Sequence, residues 1–279
     1  MSTAEQDRRL IWKGATTAST AKPSGNTGRI YIPDRILGWI IPVSVLLAWE
    51  LLARLRMLPP NWLPAPTVVG QTTYQLTLTG DLLKHVGITT ARVAVGFLLG
   101  ASAGTLFGGV TGYLPVARKL LDPSLQALRS VPSIAWVPLF LLWLGIHETS
   151  KIALISLGAL FPVYLNLSVA MRQVDPKLLE VGKLYRLSGF QMVCRLILPA
   201  VLPEYIVGLR SGLGLAWMFV VAAELLGASS GIGYLMVDGE MTGRAAVILA
   251  SVILFAVFGK ATDWMMNTVG RRLLGHRAG

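Results

Sequence analysis

The residues of this 279-residue chain that could do covalent or metal chemistry are few and scattered. Its three histidines, His85, His147 and His276, fall at no metal-ligand spacing, and a single cysteine, Cys194, excludes an internal disulfide or a cysteine-built metal site. Gly259-Lys260 is followed by Ala261 and lacks the upstream glycine of a G-x-x-x-x-G-K-[ST] loop, so this is no phosphate-cradling nucleotide site. No nucleophile–base pair and no carboxylate dyad is recognisable, so no catalytic residue and no metal site is expected. What stands out is the stretch EVGKLYRLSGFQMVCRLILPAVLP, residues 180–203, which places Glu180, Lys183, Arg186 and Arg195 between two long apolar runs.

Composition explains why such a stretch is unusual. The chain is 53% hydrophobic and 14% charged, and its mean hydropathy of +0.61 is that of a multi-span membrane protein. Six apolar runs are long enough to cross a bilayer, at roughly 36–53, 87–112, 124–144, 152–171, 205–227 and 245–266. With the N-terminus inside, the segments 1–35, 113–121, 172–203 and 267–279 hold 16 of the 25 Lys and Arg residues. That asymmetry follows the positive-inside rule, and it accounts for the net charge of +11 without nucleic acid. The expected organisation is an all-α membrane protein of six transmembrane helices with both termini cytoplasmic. A polar, disordered tail over 1–34 precedes a membrane-spanning domain over 35–272, and a short tail over 273–279 follows. The tail is not expected to be a signal peptide, because no A-x-A pattern follows the first apolar run.

Four features position the charged stretch. Span 2 carries Gly96, Gly100, Gly104, Gly108 and Gly112 at a strict spacing of four, one smooth stripe for close helix approach. Gly208 and Gly212 repeat the spacing in span 5. Span 3 contains RSVPSIAWVP, where Pro132 and Pro138 are expected to kink the helix. Charges within the spans sit near their ends: Glu50 with Arg54, Lys260 with Asp263, and Arg129 and Arg210, which can snorkel to the interface. A midplane acidic residue is missing, which counts against a gradient-driven carrier.

The stretch itself has a local grammar. Asp175 before Pro176 caps one short helix, with Lys177, Glu180, Lys183 and Arg186 on its polar side, Leu178, Val181 and Tyr185 on the other, and Gly182 allowing close approach. Ser188 and Gln191 have capping-box spacing for a second helix with an apolar face of Phe190, Val193, Cys194 and Ile197, closed by Pro199 and Pro203. Two such helices are suited to docking, against a partner or flat on lipid headgroups.

In length and register, Glu180, Gly182 and Leu198-Pro199 resemble the signature cytoplasmic loop of permease subunits in type I ABC importers. Val181 stands where that loop usually has alanine, and Arg186 where it generally has glycine; the turn is then expected around Gly189. LPPNWLPAPTVVGQ, SVPSIAWVPLFLLWLGI, AELLGASSGIGYLM and VILFAVFGK resemble the branch that imports sulfonates, taurine and nitrate, with Ser229 to Gly233 and Gly259-Lys260 nearest the aliphatic-sulfonate permeases. The resemblance implies a homodimer in the cell inner membrane, ABC ATPase subunits that bind ATP and magnesium, and a periplasmic substrate-binding protein. Residues 172–203 would be the coupling loop, with Glu180, Gly182, Lys183, Arg186, Ser188 and Gly189 at the ATPase. Arg129, Ser130, Ser133 and Asn166 are the expected translocation-path residues, since a sulfonate needs cationic or hydroxyl donors. Taurine, nitrate or another small solute, a gradient-driven carrier, and a membrane anchor remain open alternatives.

Overall fold

The computed structural model describes residues 34–225 and 227–275, and side chains from residue 38 onward except that of Ser133. Apart from Asp34, the expected 1–34 tail lies outside the described residues, as do His276 and the end of the 273–279 tail. Two units meet inside the first helix, one ending at Val45 and the other beginning at Leu46. The first unit contributes the opening turns of α1 (Asp34–Arg54), with Trp39, Ile40, Ile41 and Val43 exposed. The second unit holds the remaining elements.

Its order is α2 (Pro66–Leu78), α3 (Asp81–Tyr113), α4 (Pro115–Ser130), a 3-10 turn (Ser133–Ala135), α5 (Trp136–Leu144) and α6 (Glu148–Arg172). Then come α7 (Pro176–Leu184), α8 (Gly189–Met192), a π turn (Val193–Ile197), α9 (Leu198–Leu225), α10 (Ile232–Met241) and α11 (Ala245–Gly275). Among the described residues, four helices are long and apolar enough to cross a membrane: α3, α6, the continuous run Gly189–Leu225, and α11.

The core is a sandwich of α6 between α3 and α9. All five glycines of the stripe face α6: a Cβ on Gly96 would lie 2.5 Å from Ile155 Cγ2, on Gly104 2.6 Å from the Leu160 carbonyl, and on Gly112 2.8 Å from Met171 Cβ. On Gly100 it would collide with the Ser156 carbonyl oxygen. Gly208 and Gly212 bring α9 onto the opposite side of α6, against Asn166 and Ala159. Close backbone approach along both flanks buries Ile155, Ala159, Val163 and Tyr164 completely.

Span 3 differs from expectation. The run 124–144 is two helices, α4 and α5, rather than one kinked span. Val131 is extended (φ −72°, ψ 124°), as the residue before a proline prefers, so the helix stops at Ser130 and restarts beyond Pro132. Pro138 does not kink anything further. It stands in the first turn of α5, where a missing N–H costs no helical bond. No residue of α4 is buried, and the helix is tied down at its middle by Asp122, which accepts a hydrogen bond from the Tyr164 hydroxyl and lies 3.8 Å from Arg172.

A second correction concerns Pro199 and Pro203. They do not close a separate short helix; α8 runs through the π turn into α9. Proline brings no N–H to the ladder, and a local widening to π geometry just before Pro199 lets the helix continue.

Candidate functional site

The loop between α6 and α9 is folded by its own caps. Asp175 Oδ1 accepts the Lys177 amide at 2.8 Å, with Pro176 opening α7. Ser188 Oγ accepts the Gln191 amide at 3.3 Å, while the Ser188 amide donates to Gln191 Oε1 at 3.2 Å, a complete capping box. The turn between them is a Schellman motif: the Leu187 amide donates to the Gly182 carbonyl (3.0 Å) and the Arg186 amide to the Lys183 carbonyl (2.9 Å). Arg186 itself takes the left-handed conformation, φ +52°. The turn therefore forms at Arg186 and not at Gly189, which opens α8 as an ordinary helical residue.

Gly182 is buried against its own chain. A side chain there would strike Met192 Sδ and lie 2.6 Å from Leu196 Cδ1, in a small cluster with Leu167, Ile197 and Val201. The apolar faces expected at sequence level are rearranged accordingly. Met192 and Ile197 point inward, whereas Val181 and Cys194 are exposed and Leu184, Tyr185 and Phe190 are 82%, 73% and 80% exposed. Glu180 and Lys183 are exposed alongside them and form no ion pair among the described residues.

The expected path residues separate. Arg129 lines a cavity of about 310 Å³ with Trp136, Phe161, Leu165, Leu215 and Phe219. Ser130 is exposed, but its hydroxyl donates back to the Gln126 carbonyl at 3.0 Å. Asn166 donates to the Pro162 carbonyl at 2.9 Å and packs against Gly208, so it belongs to the α6–α9 contact. The Ser133 side chain lies outside the described part. Arg210 is ion-paired: its guanidinium donates to both oxygens of Asp263 (3.0 and 3.1 Å) and binds α9 to α11.

A buried ionic cluster at the other end of the sandwich escaped the sequence reading. Arg92, 3% exposed, donates through Nε and Nη2 to Glu148 (2.6 Å each) and through Nη1 to Glu224 Oε1 (2.7 Å) and the Ser230 carbonyl (2.6 Å). Glu224 is fully buried and accepts the Thr89 hydroxyl (2.8 Å) and the Gly233 amide (2.8 Å). Thr89 Oγ1 in turn accepts the Ile232 amide at 2.8 Å, and His85 Nδ1 accepts the Gly231 amide at 2.9 Å. Lys151 reaches Glu148 at 3.1 Å, so two cations face two carboxylates. The three amides are orphan donors at the start of α10; a carboxylate, a hydroxyl and an imidazole satisfy them. The stretch SSGIG is thus a backbone cradle, with Gly231 (φ +119°) and Gly233 leaving room for Glu224. One signal was present in the sequence: His85, Thr89 and Arg92 have the i, i+4, i+7 spacing of one helix face, which Gly96 continues.

Residues 96–275 match the family model described as the binding-protein-dependent transport system inner membrane component. The chain belongs to that family. It is 42% identical to an aliphatic sulfonates transport permease of Bacillus subtilis, over 86% of this chain and 87% of the relative. It is 31% identical to a taurine transport system permease of Escherichia coli, over 82% and 85% respectively. The fold is that of a chain in the inward-facing MetNI methionine ABC transporter, with a TM-score of 0.57 and 18% identity over 67% of this chain and 92% of that one. The protein is accordingly a multi-pass membrane permease subunit of an ABC importer.

Proposed function

We propose that the chain imports aliphatic sulfonates as a six-span homodimer in the inner membrane. The loop 172–203 would lie on the cytoplasmic face in the cleft of an ABC ATPase subunit that holds ATP and magnesium, and a periplasmic substrate-binding protein would deliver substrate to the opposite face. One observation carries this reading. The α7–α8 loop spends its inward side on Gly182, Met192 and Leu196, yet shows Leu184, Tyr185 and Phe190 to water. Three large apolar side chains held outward by a doubly capped scaffold are a partner surface, because hydration of such a patch is unfavourable. Pull or push on this loop passes directly into α9, which is continuous with α8, and into α6 through Leu167 and Gly212.

Sulfonate is favoured among the family's solutes by the 42% identity to a sulfonate permease against 31% to a taurine permease. A gradient-driven carrier is disfavoured, since the carboxylates of Glu148 and buried Glu224 are fixed to Arg92 and lie at helix ends. The test is uptake of a labelled alkanesulfonate into proteoliposomes holding the permease, its ATPase and its binding protein. Uptake should require hydrolysable ATP inside the complex; uptake driven by an ion gradient without ATP would overturn the proposal.

A further inference from the structure

Arg129 is a cation without a hydrogen bond or ion pair among the described residues, and it lines an otherwise apolar cavity at mid-depth. The depth follows from its companions. Leu157 and Leu165 stand nine and seventeen residues into α6, about 14 and 26 Å along a helix of about 37 Å. Leu215 and Phe219 stand about 26 and 32 Å along α9, which is about 42 Å long. A phospholipid headgroup lies at the interface, roughly 15 Å from the bilayer centre, so a cation at this depth is not placed for it. Unpaired charge there is expensive and points to a functional site.

We infer that this cavity is a binding site within the permease for an amphiphilic oxyanion, with Arg129 holding the sulfonate head and the aromatic and leucine walls taking an uncharged alkyl tail. This rests on the transport role proposed above and adds to it a substrate contact in the membrane. Four features set the class. The guanidinium offers several N–H donors to a tetrahedral oxyanion. The cavity volume of about 310 Å³ is at the lower end of small-ligand pockets. Its wall is fixed, since Phe219 packs on Gly158 so tightly that a Cβ on that glycine would lie 2.6 Å from the ring. The lining includes neither aspartate nor glutamate, so the ammonium of taurine would be desolvated without a partner. Nitrate has no tail for the walls. The site therefore separates alkanesulfonates from the other solutes of the family.

The experiment is equilibrium binding of labelled ethane-, butane- and hexanesulfonate, and of taurine, to the permease–ATPase complex in phosphatidylcholine nanodiscs without binding protein. Binding should saturate and tighten by roughly two- to fourfold per methylene. Taurine should bind at least about tenfold more weakly than butanesulfonate. Arg129→Gln should weaken hexanesulfonate binding by about tenfold or more, and Arg129→Lys, which keeps the charge, by less. Arg129 is exposed and unpartnered, so these variants leave the fold intact. Equal binding by Arg129→Gln, or affinity independent of chain length, would overturn the site. So would competition by phosphatidylglycerol that disappears in Arg129→Gln, since Arg129 would then hold lipid. If wild type shows ATP-driven sulfonate uptake with its binding protein but no binding here, the site is lost and the transport role stands. If the full system takes up no sulfonate, both fall.

Discussion

The carboxylate of Glu224 occupies the space that a side chain on Gly231 would fill. With Gly231 at φ +119° and Glu224 fully buried, each residue presupposes the other. The arrangement binds three helices to the start of α10, because Arg92 and Thr89 come from α3, Glu148 from α6 and Glu224 from α9.

Glu224→Ala should therefore destabilise the protein by about 3 kcal/mol or more, since it leaves Arg92 with one of its two carboxylate partners and the Gly233 amide with none. Gly231→Ala should cost a comparable amount, about 2–4 kcal/mol, through backbone strain and a clash with the same carboxylate. Thermal unfolding in detergent reads both. A midpoint unchanged in Gly231→Ala would show that α10 is not held by Glu224.

Glycine-stripe variants should divide by face. Gly104→Leu drives a side chain into the Leu160 carbonyl and Val163, whereas a Cβ on Gly109 meets nothing within 4 Å. Gly104→Leu should lower the yield of monodisperse protein severalfold and Gly109→Leu should not, by size-exclusion chromatography. Equal yields would remove close packing of α3 on α6 as the reason for the stripe.

What the sequence made legible was local. The Asp175 cap, the Ser188 capping box and the glycine stripe all depend on residues within four positions of one another. Spacing alone did not reveal which surface a small residue meets. Gly182 reads as a contact for a partner, but its neighbours are Met192 and Leu196 of the same chain. The ionic cluster was least visible, because Thr89 and Glu224 are 135 residues apart and nothing local to either marks the other. Span 3 was read as one kinked helix because its hydropathy is continuous, while Pro132 and the extended Val131 before it divide it.

Arg186 offers a stabilising change. A non-glycine residue in the left-handed region carries a penalty of about 1 kcal/mol that glycine avoids. Arg186→Gly should slow hydrogen exchange of the Leu187 amide, which closes the Schellman turn on Gly182. Arg186→Val should hasten it. The opposite order would mean that the arginine side chain, not the backbone, maintains the turn.

Coupling through the α7–α8 loop is the centre of the account, and it separates two kinds of variant. Gly182→Trp breaks the loop's own packing, whereas Leu184→Asp with Phe190→Asp alters only side chains that face outward. The direct measurement is ATP hydrolysis by the reconstituted complex, with and without substrate-loaded binding protein, beside capture of the ATPase by the permease. The Leu184→Asp/Phe190→Asp permease should stay monodisperse and as heat-stable as wild type, yet capture the ATPase at least about tenfold more weakly, as expected when two buried apolar anchors are lost, and show no stimulation. Full capture and full stimulation in that variant would contradict the account, because the exposed face of the loop would then carry no load between ATPase and membrane.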